Sequence, residues 1–521
     1  MTTSTSNVSA EQPPHRAKPE AENRRALKDS APREPVRTLA SRFIIVMLCL
    51  AMVLSALLYG TVHYWSLALF ELGACIIVLL WAVDAWRSRT LRLSRSILQL
   101  PLIGLAVLGL VQLLPLRSAG DTSGALSAPP VSSLSLDPYS TRLAIVQIVA
   151  LLIYFAAALA FIDSAKRLRL LVRTITVFGF LLALLGLIQF FTSPDKIYWL
   201  KELPQSLPFG PFYNRHHFAA YMELALALPL GLLFSGAIER DKRPLYIFAA
   251  IMMGIALITT GSRGGMISLV AESLFLVAFA TFGRKGEAAK PSGERTGRTR
   301  SALLRAGLGL TLVLALFGGA VLFGGEAALS RLVGTVNSDD PTTGRAHFWS
   351  MTLGIIRTYP VIGTGLGSFG LAYTQFDTRN GLFRLEQAHN DYLQVMSDAG
   401  IVGAVLAVFF IIALFRTGFA RRETDDTFRR GVATGALAGC FAVLIHSFFD
   451  FTLHTAANAL LFLMLAAFAT INGRVEEGSK RRPQQRRRRR RRELVKQPDV
   501  PAVHRSAAAA VPPSSSSAPG R

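Results

Sequence analysis

The sequence predicts an all-α integral membrane protein with about twelve transmembrane helices and a large loop before the tenth. Three observations predict it. Hydrophobic residues make up 51% of the chain and fall in long runs. The net charge of +23 gathers at the two ends and in the connections between runs. Those connections alternate between rich and poor in Lys and Arg, the pattern of a chain that crosses a bilayer repeatedly.

Residues 1–41 are polar and contain several prolines, so they are expected to be a disordered segment without a cleavable signal. The run from Phe43 to Tyr59 then acts as an uncleaved anchor. Apolar spans follow the pattern 43–59, 64–86, 97–116, 142–162, 170–191, 217–236, 245–260, 265–282, 302–324, 396–415, 431–449 and 452–471. Basic connections carry Arg87, Arg89, Arg92 and Arg95; Lys166, Arg167 and Arg169; Arg240, Lys242 and Arg243; Arg284 to Arg305; and Arg416 to Arg430. The positive-inside rule puts these and both termini in the cytoplasm. It puts 60–63, 117–141, 193–216, 261–264, 325–395 and 450–451 on the outer face. The membrane domain therefore covers 42–472. The tail, 473–521, holds seven consecutive arginines, Arg486 to Arg492, and is expected to stay disordered and to contact anionic membrane lipids. No folded domain accompanies the run, so nucleic acid is not an expected partner. Cys49, Cys75 and Cys440 lie in apolar spans and show neither a disulfide framework nor zinc spacing.

The chemistry gathers on the outer connections. The stretch from His389 to Gly403 opens with polar groups and runs into the tenth span. As one helix it would align His389, Met396, Gly400 and Gly403 on a stripe, with the histidine at the membrane surface. That suits a fixed catalytic base, and it equally suits a histidine in the interfacial zone. Arg263, in the Gly-rich turn from Thr259 to Gly265, can present a bidentate fork to a phosphate or snorkel to the surface. Asn214, Arg215 and His216 precede the sixth span, as substrate ligands or as part of an aromatic and basic belt. Gly344 to Ile356 reads as an amphipathic helix ended by Pro360, with Arg345 one turn before Trp349. Its Phe348, Trp349, Ile355 and Ile356 would lie on the membrane or on the top of the bundle. Gly363 to Gly367 mimics a dinucleotide loop, but no strand precedes it, and a Gly-rich turn is the better reading. Asp339-Asp340 before Pro341 is similar to an acidic metal motif of sugar transferases, but a solvated turn is the better reading.

Two further groups carry charge near or inside the spans. His446, Asp450 and His454 stand at steps of four. On an unbroken helix they would share a face with metal-binding geometry, but a turn between the last two spans favours structural hydrogen bonding. Glu71, Glu223 and Glu272 fall inside apolar spans, where a charge calls for a partner or a water-filled cavity. Glu223 and Glu272 lie about two turns from the ends that carry Arg215 and Arg263, and are expected to hold those arginines from behind. They also fit a proton relay, which supports a secondary transporter as a reading from another class.

His389-Asn390, nine residues, then Gly400-Ile401-Val402-Gly403 resembles the signature of the bacterial O-antigen ligases. The Ser262-Arg263-Gly264 turn, Gly344-Arg345 with Trp349, and Pro360 to Phe369 are similar to the same superfamily, which includes O-antigen and exopolysaccharide polymerases and O-linked oligosaccharyltransferases. The resemblance covers roughly 205–405, with the periplasmic loop at about 325–395. It implies a GT-C-like glycosyltransferase of the bacterial inner membrane. Its donor would be a polyprenyl-diphosphate-linked glycan, and its acceptor the lipid A core, a growing glycan or another hydroxyl. It further implies a periplasmic site that needs no nucleotide, cofactor or metal. Carried onto this sequence, Arg263 and Arg345 bind the diphosphate, and His389 acts as base. Arg215, Asn214, His216, Asn390 and Trp349 contact substrate, with Glu223 and Glu272 behind them. Transfer would be inverting. Ligase and polymerase share this site, and the sequence does not separate them.

Overall fold

The computed structural model describes residues 38–117, 132–203, 207–281, 345–378, 385–422, 424 and 426–471. The expected span 302–324, Gly344, Asp339-Asp340 and both terminal segments lie outside the described residues. The described chain is mostly helical. Its helices are α1 (Leu39–Leu57), α2 (Tyr64–Ser88), α3 (Gln99–Gln112), α4 (Pro138–Phe161), α5 (Ala165–Thr192), α6 (Arg215–Ser235), α7 (Arg243–Thr259), α8 (Arg263–Thr281), α9 (Arg345–Thr358), α10 (Phe369–Thr374), α11 (Asp391–Arg422), α12 (Thr427–His446) and α13 (Ala456–Thr470). A short hairpin, β1 (Lys196–Ile197) with β2 (Lys201–Glu202), sits between α5 and α6. Among the described residues, α1, α2, α4, α5, α6, α11 and α12 are long and apolar enough to cross a membrane, and α3, α7 and α13 are shorter apolar helices.

Capping residues set several of the helix starts. Thr38 Oγ1 accepts from Ser41 N–H at 3.0 Å, Asp137 Oδ1 from Tyr139 and Ser140 N–H at 3.1 Å, and Asp426 Oδ1 from Phe428 N–H at 3.0 Å. Pro138 occupies the first turn of α4, where its missing N–H costs nothing. The α6 helix is buried over nearly its whole length and forms the axis of the bundle. It packs closely on α12 at Gly231 and Gly435, where a Cβ on Gly231 would sit 2.6 Å from the Gly435 backbone nitrogen.

The connections sort to two ends, as their basic content predicts. At one end Arg92 pairs with Asp84 and Asp163, and Arg167 with Asp163 and the Ser41 hydroxyl. At the other, Gly60 packs on Phe212 and Thr455, His63 bonds Tyr213 at 2.7 Å, and Leu136 N–H donates to Thr364 O at 2.8 Å. Every candidate site residue outside the buried carboxylates belongs to this second end.

The expected single helix from His389 is corrected on two counts. His389 precedes α11 with a left-handed backbone, φ 50°, and Gly400 interrupts the helix at φ 60°, ψ −158°. No stripe joins His389 to Gly403. The cause is the Gly-rich segment after Pro360, which wedges against the break. Ile401 and Val402 N–H donate to Pro360 O and Val361 O at 2.9 and 3.2 Å, while Thr364 and Gly365 N–H donate to Ser397 O and Asp398 O at 2.8 and 3.1 Å. A Cβ on Gly400 would collide with the Val361 carbonyl. Gly363, Gly365 and Gly367 all have positive φ, which is the turn anticipated over a dinucleotide loop. The break in α11 serves to seat this loop.

His446, Asp450 and His454 do not share a helix face either. His446 ends α12, Asp450 stands in the following turn, and His454 closes a short 3-10 helix (Thr452–His454). The amphipathic helix appears as α9. Its Ile355 is fully buried beside Phe369, Tyr373 and Ala388, so that face meets the protein.

Candidate functional site

Three arginines from three separate connections line one cavity of about 200 Å³, together with His216, Gly261, Gly264, His446 and Phe449. Arg215 is the first residue of α6, Arg263 the first of α8 and Arg345 the first of α9. Each local fold is legible. Asn214 caps α6, its Oδ1 accepting from His216 N–H at 2.8 Å. The α7–α8 turn closes on Gly261, φ 65°, and Thr260 Oγ1 accepts from Ser262 N–H at 3.1 Å. Helix N-termini add their own partial positive charge to the arginines they carry.

Beside the cavity stands a histidine–aspartate pair. His389 Nδ1 lies 3.1 Å from Asp450 Oδ1, and Arg345 Nη2 lies 3.4 Å from Asp450 Oδ2. Asp450 is 1% exposed and His389 27%, so the aspartate sits beneath and the imidazole faces out. Phe451 N–H donates to Asp450 Oδ1 at 2.9 Å, and the Phe451 ring meets His389 edge-on at 5.0 Å. Burial works against the Asp450 carboxylate, but the His389 hydrogen bond, with His216 and Arg345 nearby, holds it well below the usual carboxylate range. An ionised Asp450 fixes a proton on Nδ1 of His389 and leaves Nε2 as the basic nitrogen.

The strained backbone of His389 is held from both sides. Upstream, Trp349 Nε1 donates to Ala388 O at 3.1 Å, and Ala388 N–H donates to Gln394 Oε1 at 2.6 Å. Downstream, Asn390 Oδ1 accepts from Tyr392 and Leu393 N–H at 3.0 and 3.1 Å, and its Nδ2 donates to Phe448 O at 3.0 Å. Asp391 accepts from Ser447 Oγ at 2.7 Å and from Leu453 N–H at 3.2 Å, and pairs with His454 Nδ1 at 2.7 Å. A left-handed non-glycine residue costs on the order of 1–3 kcal/mol and persists where its surroundings over-determine it.

A chain of polar groups runs inward from the cavity. His216 Nδ1 meets Ser262 Oγ at 2.8 Å, Ser262 Oγ meets His446 Nε2 at 3.4 Å, and His446 Nδ1 meets Glu223 Oε1 at 2.8 Å. Glu223 thus reaches the cavity through His446. Glu272 is fully buried, and neither of its oxygens has a hydrogen-bond partner among the described residues. It lies behind the cavity without a hydrogen bond to Arg215 or Arg263.

The structure thus brings Arg215, Arg263, Arg345 and His216 to one cavity with His389 beside it. Asn214, Asn390 and Trp349 stand close by, with polar atoms committed to the backbone that carries those residues. Sequence reasoning gave Asp450 and His446 only a structural part and passed over Ser262. A signal for Asp450 was present: an ionisable residue set among Phe448, Phe449 and Phe451 in a turn between apolar spans. Among the described residues no group of three or more His, Cys, Asp and Glu is disposed to hold a metal ion.

Comparison with known proteins bears on the same residues. The O-antigen ligase family model matches residues 248–408, a segment that contains Arg263, Arg345 and His389. Arg215, His216, His446 and Asp450 lie outside the matched segment. No curated protein matches the chain. The family match places this segment in an O-antigen ligase-related superfamily. With the apolar helices, it supports a multi-pass bacterial membrane enzyme of the ligase or polymerase type, acting on lipid-linked glycans.

Proposed function

With an O-antigen ligase-related segment as premise, we propose that this protein transfers a glycan from a polyprenyl-diphosphate carrier to an acceptor hydroxyl, in one displacement that inverts the anomeric carbon. The observation that carries the reading is the convergence of Arg215, Arg263 and Arg345 on one cavity beside the His389–Asp450 pair. The arginines bind the diphosphate and meet the charge that grows on it as the glycosidic bond breaks. This is the task a divalent cation performs in other transferases, and here the side chains supply it. His389 Nε2 takes the proton from the attacking hydroxyl, and Asp450 stabilises the imidazolium that forms. The diphosphate leaves already activated, so ATP has no part in the step. Asn214, Asn390 and Trp349 hold the reacting groups in register, and His216 adds a further contact to the donor.

The bundle is of the GT-C-like type with about twelve spans, both termini in the cytoplasm and the site on the periplasmic face of the inner membrane. The positive-inside pattern supports this orientation. Ligase-type transfer to the lipid A core is the reading adopted. A polymerase uses the same site with a second lipid-linked repeat as acceptor.

The test is release of free polyprenyl diphosphate by purified protein in lipid, with His389→Ala as the control. Release that depends on His389 establishes the transferase. Glycan joined to lipid A then identifies a ligase, and carrier-linked ladders identify a polymerase. Normal release by the His389→Ala protein removes the base assignment. Substrate flux that depends on Glu71, Glu223 or Glu272, with no glycan product, moves the assignment to a transporter.

A further inference from the structure

The cavity is joined to the interior by four groups in line: His216, Ser262, His446 and Glu223. Each link has a definite donor and acceptor, and the polarity of one link fixes the next. When Glu223 is ionised, it accepts Nδ1–H of His446. His446 Nε2 then accepts the Ser262 hydroxyl proton, and Ser262 Oγ accepts Nδ1–H of His216. His216 therefore turns a bare Nε2 toward the cavity. When Glu223 carries a proton, every link reverses. Glu223 donates to His446 Nδ1, His446 Nε2–H donates to Ser262 Oγ, and Ser262 donates to His216 Nδ1. His216 now offers Nε2–H to whatever occupies the cavity.

We propose that Glu223, His446, Ser262 and His216 form a proton wire that takes up one proton when a diphosphate binds, turning His216 from an acceptor into a donor. The inference rests on the diphosphate reading of the cavity and deepens it. A lone pair facing phosphate oxygens is repulsive, whereas an N–H is attractive, so the anion selects the reversed wire. The proton balance closes. One proton from solvent joins His216 Nε2, His216 Nδ1–H passes to Ser262, the Ser262 proton to His446 Nε2, and His446 Nδ1–H to Glu223.

The surroundings fit a carboxyl that accepts that proton. Glu223 is fully buried on α6, and its Oε2 has no hydrogen-bond partner among the described residues. His446 faces it from α12, and Glu272 on α8 acts on it electrostatically. At the cavity end, Arg215 and Arg345 act on His216, and Asp450 Oδ2 lies 4.0 Å from its Nδ1, beyond hydrogen-bond reach. Arg263 lines the same cavity. A second feature marks the wire as built. The His446 ring packs against Gly264, where a Cβ would stand 2.7 Å from its Cδ2, so the ring is locked between Glu223 and Ser262.

The test uses the full-length protein in lipid nanodiscs and a farnesyl methyl diphosphate diester, whose phosphates stay singly ionised from pH 6 to 9. Calorimetry in buffers of different ionisation enthalpy counts the protons taken up on binding. The unmodified protein should take up about one proton per ligand, and its log Kd should rise with pH at a slope of about one. In Glu223→Gln the amide N–H donates to His446 permanently, so binding should persist with no proton uptake and no slope. Glu223→Ala should bind at least about tenfold more weakly, because nothing orients His446.

Uptake that is the same in Glu223→Gln means His216 is protonated directly, and overturns the wire. So does binding by the unmodified protein without uptake. An absence of binding by the unmodified protein instead removes the diphosphate reading, and the wire with it.

Discussion

The two ends of the bundle use arginine in opposite ways. At the basic end Arg92 and Arg167 face Asp84 and Asp163, and Arg167 also donates to the Phe161 and Ser41 carbonyls. At the site end, Arg215, Arg263 and Arg345 line a cavity, and Asp450 divides its oxygens between Arg345 and His389. The first arrangement is a knot of ion pairs that ties α1, α2, α4 and α5 together. The second lines a cavity with three cationic side chains. The basic end ties its arginines into ion pairs, whereas the end poorer in Lys and Arg gathers three of them around one space.

The largest contrast comes from breaking each end in turn. His389→Ala should lower transfer by about 10²- to 10⁴-fold, the usual worth of a general base, in protein that still folds, because Arg345 and Phe451 N–H remain on Asp450. Arg92→Ala should do the reverse. It leaves Asp84 buried beside Thr38 without its cation and costs on the order of 3 kcal/mol of stability. Turnover per folded molecule should stay at the unmodified level. The measurements are product release and thermal unfolding on the same preparations. A rate loss in folded Arg92→Ala protein would mean that the two ends are coupled and the comparison is false.

The next contrast lies within the site. Asp450→Asn keeps the shape of the turn and removes its charge, so His389 is free to adopt either tautomer and its imidazolium is no longer stabilised. Transfer should fall by about 10²-fold or more, mainly in kcat. The sign of the pH effect follows from the depressed pKa. Asp450 contributes stability that is complete above the ordinary carboxylate range and is lost only as pH falls through its lower folded value. The gap in melting temperature between the two proteins should therefore not shrink as pH falls from 8 to 5. A gap that closes as pH falls over that window would show that Asp450 is not ionised in the folded protein.

Much of this was readable from the chain. The periodicity and loop charge placed the helices near their observed bounds, because apolar runs and positive flanks are local signals. The three arginines were found in short segments beside apolar runs, a local feature too, with the resemblance at Ser262-Arg263-Gly264 and Gly344-Arg345 supplying the role of two of them. The failures were non-local. Gly400 in an apolar run gives no sign that the loop after Pro360 will enter the helix and claim its backbone. The steps of four from His446 to His454 imitate one helix face, and only the turn shows that these side chains go to Glu223, to His389 and Arg345, and to Asp391 respectively. Asp450 reads as a structural hydrogen-bonding group, and the sequence does not show that its partners are His389 and Arg345, 61 and 105 residues away.

The smallest effect expected separates two neighbouring carboxylate–imidazole pairs. His454 and Asp391 are 2.7 Å apart, close to His389 and Asp450, yet they anchor the start of α11 and not the cavity. Burial opposes a charge on His454, but the hydrogen bond and charge of Asp391, with Asp398 behind, outweigh it and raise the imidazole pKa. A raised pKa gives stability that is fully present below about 6.5, the ordinary histidine value, and is lost as pH climbs through the folded value. The unmodified protein should thus lose a few degrees of melting temperature between pH 6 and 9. His454→Gln, which keeps a donor to Asp391 without a titrating charge, should lose this part of the slope while its transfer rate stays near the unmodified level. If His454→Gln instead abolished transfer with its fold intact, the pair would belong to the chemistry, and the site would extend along the whole turn between α12 and α13.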